Sequence, residues 1–236
     1  MSAAAGIHYD ETGRADAPLV ALVHGSMDRA TGFTKVAHRL EHDHRVLRYD
    51  RRGYARSYEA GGPFTITQNV DDLVALLAGR PAVLVGHSLG GNVVLAAAQR
   101  CPSLAVAVVC FEAPMSWEAF WPAGTAGGEA VDAAGGDAGR ASDAAEGFMR
   151  RMVGDERWER LPAATRAERR REGAALVGEL TDLRARAPYD AAEIRCPVLL
   201  ARGENARPHH VMAIEVMAER FPGAPVHVIA AAGHGA

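Results

Sequence analysis

Short blocks of β-branched and apolar residues alternate with amphipathic stretches along most of the chain, the pattern of a mostly parallel sheet covered on both faces. GIHYDETG (6–13) and PLVALVHG (18–25) read as strands joined by the turn-rich TGRADAP. TGFTKVAHRLEH reads as a helix, HRVLRYD as a strand, and TITQNVDDLVALLAG as a helix with Thr65 or Thr67 near its N-cap. Ala82 to Val85 and the run LAVAVVCFEAP (104–114) have the unbroken apolar character of central strands. The regularity stops after that run. Residues 122–147 are almost all Ala, Gly, Asp and Glu without a stripe of large apolar residues, which predicts a mobile surface segment. From Phe148 to about Pro188 the pattern is helical and charged. Strand, helix and strand then resume as CPVLLARGE, PHHVMAIEVMAERFPG and APVHVIAAAGH. The predicted architecture is an α/β core of residues 1–114 and 189–236, interrupted by an inserted segment, 115–188, that covers a site.

Composition narrows the partners. The 236 residues are 48% hydrophobic, enough for one sizeable core, and the formal net charge of −3 offers no broad attraction for nucleic acid or an anionic membrane. Small neutral substrates are the expected partners. Cys101, Cys110 and Cys196 are odd in number and far apart, which fits reduced thiols rather than bridges or a metal site, and points to a cytoplasmic setting. MSAAAGIHYDE lacks the basic start and apolar run of a signal peptide. The arginine-dense RAERRRE (166–172) reads as a solvated helix face rather than a site for an acidic substrate.

The candidate chemistry centres on GHSLGG. Ser88 falls on the turn between a strand and the helix that begins near Asn92, and a turn that sharp has no room for side chains at 86 and 90, where glycine stands. Gly-x-Ser-x-Gly arises by chance in glycine-rich chains; the strand-to-helix context gives it weight. A serine nucleophile needs a base, and His234 sits on a glycine-flanked loop after the last strand. His24 also follows a strand, but it reads as a loop-building residue or a pocket wall. The amides of Ser26 or Met27, beyond Gly25, would pair with that of Leu89 to receive an oxyanion. His209 and His210 read as ordinary helix-start residues. Met115, Trp117, Phe120 and Trp121 form an aromatic cluster at the entry to the insertion and predict either an apolar substrate pocket or plain packing.

HGSMD, YDRRGYARS, GHSLGG and the final GH occur in an order and spacing that resembles the α/β-hydrolase fold family, in particular its small, lid-bearing, cofactor-free members. The resemblance implies a doubly wound, mostly parallel sheet of about eight strands, a helical lid, and a closing helix after the last strand. This chain stops two residues beyond His234. The family commonly carries its acid as Gly-x-x-Asp after the strand PVLLARG; here the positions are Gly203, Glu204, Asn205 and Ala206. Glu112, at the end of the strand after the nucleophile helix, is the expected replacement, as in dehalogenases that place an acid there, with Glu204 as the fallback. The expected activity is ester hydrolysis by a Ser88–His234–Glu112 triad without metal or cofactor. The alternatives are a cofactor-free lyase or haloperoxidase on the same scaffold, or a ligand-binding pseudoenzyme.

Overall fold

The computed structural model describes residues 6–235. Residues 1–5, part of the stretch read for a leader, lie outside it.

A seven-stranded sheet, in the order β1-β3-β2-β4-β5-β6-β7, organises the chain. β1 (Tyr9–Thr12) is antiparallel to β3 (Arg45–Tyr49), and every other pairing is parallel. β2 (Leu19–Val23) is buried at all five positions because both its faces are covered. Val20 and Leu22 pack toward α1 (Thr34–Leu40), while Ala21 and Val23 join the larger core with α2 (Ile66–Leu77) and α3 (Leu89–Arg100). Thr65 is the N-cap of α2, its side chain accepting the Gln68 amide, so the first of the two threonines considered is the cap. β4 (Ala82–His87) and β5 (Ala105–Phe111) complete the centre, and β6 (Val198–Gly203), α9 (Pro208–Arg220) and β7 (Val226–Ile229) the far side. The resemblance implied about eight strands; the described residues form seven.

From β2 the chain crosses to β3 on one side, and from β4 to β5 on the other. The carboxyl ends of β2 and β4 therefore flank the point where strand order reverses, the place where open α/β sheets leave a crevice.

Between β5 and β6 lie five α-helices: α4 (Ala126–Ala134), α5 (Ala141–Val153), α6 (Asp155–Glu159), α7 (Ala163–Arg171) and α8 (Gly173–Ala185). The segment 122–147 is thus largely helical and packed, contrary to the mobile surface segment expected. Ala130, Ala134, Ala144, Ala145 and Met149 are buried in a second cluster around Trp158 and Leu176, joined by Met27 and Tyr54 from the core loops. The packing stripe is there, at 141, 144, 145 and 149, but three of its four positions are alanines, whose small side chains let helices approach closely without a pattern of large apolar residues. Thr125 caps α4 by accepting the Gly128 amide.

The RAERRRE face is paired rather than simply solvated. Arg170 meets Asp143 and Glu146, Arg166 meets Glu159, and Arg169 is mostly buried and donates to the Met27 carbonyl at 2.7 Å. No helix among the described residues is long and apolar enough to cross a membrane. The three cysteines are unpaired, and burial pushes the Cys110 thiol up to about 12, which makes it inert.

Candidate active site

Ser88 stands on the turn from β4 into α3 with φ +54° and ψ −126°, a conformation that L-residues rarely adopt. Two glycines make the turn possible. A Cβ at Gly86 would lie 2.3 Å from the Gly90 carbonyl oxygen, and one at Gly90 would lie 2.1 Å from the carbonyl oxygen of Val23 on the neighbouring strand. The Ser88 amide donates to the Phe111 carbonyl at 2.8 Å, which fixes the turn against β5. Leu89, the first residue of α3, has an amide with no acceptor inside its own helix.

A chain of hydrogen bonds runs from this serine. His234 Nε2 lies 3.1 Å from Ser88 Oγ, and His234 Nδ1 lies 2.7 Å from Glu112 Oε2. Glu112 is fully buried at the end of β5, with φ +47°, and its other oxygen accepts the Gly203 amide at 2.8 Å. Burial alone would raise its pKa, but the bonds from His234 and Gly203 hold the carboxyl below the usual glutamate range. The ionised carboxylate accepts from Nδ1, so the proton of the neutral imidazole sits there and Nε2 is left to accept from the serine hydroxyl. The stabilisation this ion gives is complete above the ordinary glutamate range and is lost as pH falls through the lowered value. Glu204 points elsewhere: its Oε2 accepts the Ala231 amide at 2.8 Å and braces the turn after β7.

His234 is held by two further histidines. His87 Nε2 donates to the His234 carbonyl at 2.7 Å, and the His210 ring stacks on the His234 ring with centroids 4.4 Å apart and planes at 21°. Burial first, then the nearby His234, keep both His87 and His210 well below the usual histidine range, so neither competes for the proton. His210 thus packs on His234, and both His209 and His210 line the cavity beside Ser88, contrary to their reading as ordinary helix-start residues. Ligand atoms of Glu112, His210 and His234 lie within 4.8 Å of one another and could gather round an ion, although both ring nitrogens of His234 are already engaged.

The loop after β2 forms the opposite wall. A Cβ at Gly25 would come within 2.9 Å of Ser88 Cβ, so only glycine allows this approach. His24 is completely buried, its Nδ1 donating to the Gly25 carbonyl and its Nε2 accepting the Arg51 amide; it builds the loop and does not reach the cavity. Arg51, also fully buried, donates to the carbonyls of His24 and Gly25 at 2.8 and 3.1 Å. With the Gly25 carbonyl held by two donors, the trans peptide aims the Ser26 amide the opposite way. Ser26 lines the cavity beside Ser88, whereas Met27 turns its side chain into the cluster of inserted helices.

That cavity, about 180 Å³, is enclosed by the core on one side and by α4, α5 and α8 on the other. Trp121, Val131, Phe148, Met152 and Leu180 make its apolar wall. Of the four residues expected at the insertion entry, Trp121 alone lines it. Met115 is fully buried in the main core, and Trp117 and Phe120 pack against that core, so these three have the packing role.

A family model described as the alpha/beta hydrolase family matches residues 20–236. The chain belongs to the alpha/beta hydrolase family. It is 26% identical over 240 residues to the 2-(acetamidomethylene)succinate hydrolase of Mesorhizobium japonicum, covering 92% of this chain and 81% of that protein. An uncharacterized hydrolase of Bacillus subtilis matches at 36% identity over 91 residues, which span 36% of this chain and only 33% of that relative. Among solved structures, the enol-lactonase from Burkholderia xenovorans LB400 superposes with a TM-score of 0.73 at 23% identity, covering 94% of this chain and 87% of the other. A thermophilic esterase from Thermogutta terrifontis gives a TM-score of 0.72 at 21% identity, covering 97% and 86%. At these identities the structural likeness shows the fold.

A buried charge ties the inserted helices of this alpha/beta hydrolase to the core. Glu179 of α8 is 1% exposed; it pairs with Arg51 at 2.6 Å and accepts from Ser26 Oγ and Tyr54 OH, each at 2.6 Å. The only sequence signal was a lone acid in an otherwise apolar stretch of helix, GAALVGEL. Because Arg51 also grips the loop that carries Ser26, this cluster sets the loop against the site. Glu179→Ala would leave a guanidinium buried without its ion and is expected to destabilise the protein by about 3–5 kcal/mol. Urea denaturation of the variant against the native chain checks this; a loss within the error of the extrapolation would show that the cluster carries no such weight.

Proposed function

We propose that this protein is a serine hydrolase that cleaves a small ester through a covalent acyl-enzyme. The observation that carries the reading is the continuous chain Glu112–His234–Ser88, with bonds of 2.7 and 3.1 Å, opening on an apolar cavity. Ser88 Oγ attacks the ester carbonyl carbon as its proton passes to His234 Nε2. The tetrahedral intermediate then collapses, the bond to the alcohol oxygen breaks, and that oxygen takes the proton from Nε2. Water repeats the sequence on the acyl-enzyme, with His234 again as base, and releases the acid. Glu112 holds the imidazole in the required tautomer and stabilises the imidazolium. The amides of Ser26, with Met27 as its neighbour on the loop, and of Leu89 receive the developing oxyanion; one such donor is worth on the order of 3 kcal/mol. The residues 115–188 act as the lid, and Trp121 forms part of the wall against the substrate.

Ester substrates also agree with the names of similar proteins, an esterase and an enol-lactonase among them. The intact hydrogen-bond chain speaks against a binding protein with a dead site. Unpaired thiols go with a reducing, cytoplasmic setting.

A cavity of about 180 Å³ has room for a short acyl group. In a panel of p-nitrophenyl esters of increasing chain length, kcat/KM is expected to be highest for acetate to butyrate and to fall steeply beyond. Absence of turnover across the whole panel and for lactones would overturn the reading.

A further inference from the structure

Among the described residues no acidic side chain lines the cavity beside Ser88, yet two arginines reach it, Arg184 and Arg207. Arg184 is engaged by Asp132 at 2.7 Å. Arg207 is not: among the described residues no carboxylate lies within 4.0 Å of its guanidinium. Arg39, Arg157 and Arg202 also lack a carboxylate partner among the described residues, but none of them lines the cavity; Arg207, exposed at its mouth, is the cavity arginine whose charge no neighbouring carboxylate neutralises.

The place of Arg207 in the fold sharpens the point. It is the N-cap residue of α9, with φ −65° and ψ +151°, followed by Pro208 in the first turn, and its side chain makes no capping bond. At an N-cap the backbone favours Ser, Thr, Asp or Asn, and the positive end of the helix dipole disfavours a cation. Local structure thus gives no reason for an arginine there, and its charge, after burial, helps hold the neighbouring His209 below the usual histidine range. A residue that breaks the local rule without a compensating partner in the protein is the kind that serves a ligand.

Resting on the ester-hydrolase reading above, we infer that the substrate is an ester bearing a free carboxylate a few bonds from the scissile carbonyl, and that Arg207 at the cavity mouth binds that carboxylate. The planar guanidinium offers two parallel N–H donors that match the two oxygens of a carboxylate. Beyond Arg207 and the Asp132-paired Arg184, the wall is made of apolar residues with serine, threonine and histidine side chains, so the substrate has one charged end and an otherwise uncharged body, in place of the neutral molecule that net charge alone implied. Arg207 acts as a specificity residue; it takes no part in proton transfer.

Two matched pairs of esters test the inference from either side of the ester bond. They are phenyl hydrogen glutarate against phenyl hexanoate, and 4-acetoxybenzoate against its methyl ester. The native enzyme is expected to favour the charged member of at least one pair by about tenfold or more in kcat/KM, as a charge-assisted bond provides. In Arg207→Gln that selectivity ratio should collapse toward one, Arg207→Lys should restore part of it, and added salt should weaken it in the native enzyme. A ratio near one in both pairs, or a preference that survives in Arg207→Gln, would overturn the inference. A binding arm keeps it separate from the catalytic reading: calorimetry of monomethyl glutarate with Ser88→Ala, with and without Arg207→Gln. Binding lost on removal of Arg207 supports the carboxylate site even if no ester is turned over, and equal binding or none in both contradicts it.

Discussion

Ser88→Ala is expected to lower ester turnover by about 10⁴-fold or more while leaving the fold in place. The hydroxyl stands in the cavity wall and packs against little, so its removal opens no void in the core. Alanine also keeps a Cβ at the strained φ of +54°, where the turn has been shaped by Gly86 and Gly90. The variant should therefore melt within a few degrees of the native protein. Steady-state rates on p-nitrophenyl butyrate together with a thermal melt check both halves. Near-native activity in the purified variant would remove Ser88 from the role of nucleophile.

Glu112→Gln should cost a similar factor, about 10⁴-fold in kcat, for a different reason. The glutamine carbonyl would take over the bond from the Gly203 amide, leaving its NH₂ group to face His234 Nδ1. Nδ1 must then accept, the imidazole proton moves to Nε2, and Ser88 meets a donor where it needs an acceptor. Glu204→Gln, which touches only the Ala231 amide, should keep most of the activity. In a Glu112→Ala background, Ala206→Asp should return part of the rate, because position 206 follows β6 on the loop from which the family commonly supplies its acid. The kcat values of these variants on one ester decide the matter. Full activity in Glu112→Gln with loss in Glu204→Gln would move the acid to Glu204.

The residues that could be read from the sequence are those set by the backbone. Ser88 and His234 follow strands and are bracketed by glycines, which the strand pattern alone makes visible, whereas Glu112, at the end of an apolar run, came from the resemblance to the α/β-hydrolase family. The gap at Ala206 then singled out Glu112. Features that depend on packing between distant segments were not legible. Arg51 and Glu179 are 128 residues apart in the chain, and neither carries a local sign that the other will neutralise it. His210 does stand in the first turn of α9, but the sequence does not reveal that this turn packs its ring on His234. The helices α4 and α5 leave little trace in the sequence because a stripe made mostly of alanines buries little area per residue and stands out little from its surroundings. Trp117, Phe120 and Trp121 share one short stretch, and only the three-dimensional course of the chain after β5 separates the one that faces the cavity from the two that face the core.

The central claim is that Ser88 is an activated nucleophile, made so by His234 and Glu112. It is tested most directly by labelling the native protein with a fluorophosphonate, then measuring the intact mass and mapping the modified peptide. A single adduct is expected on Ser88, formed rapidly in the native chain, absent in Ser88→Ala and strongly slowed in Glu112→Gln. No adduct, an adduct on another residue, or equal labelling rates in the native and Glu112→Gln proteins would contradict it.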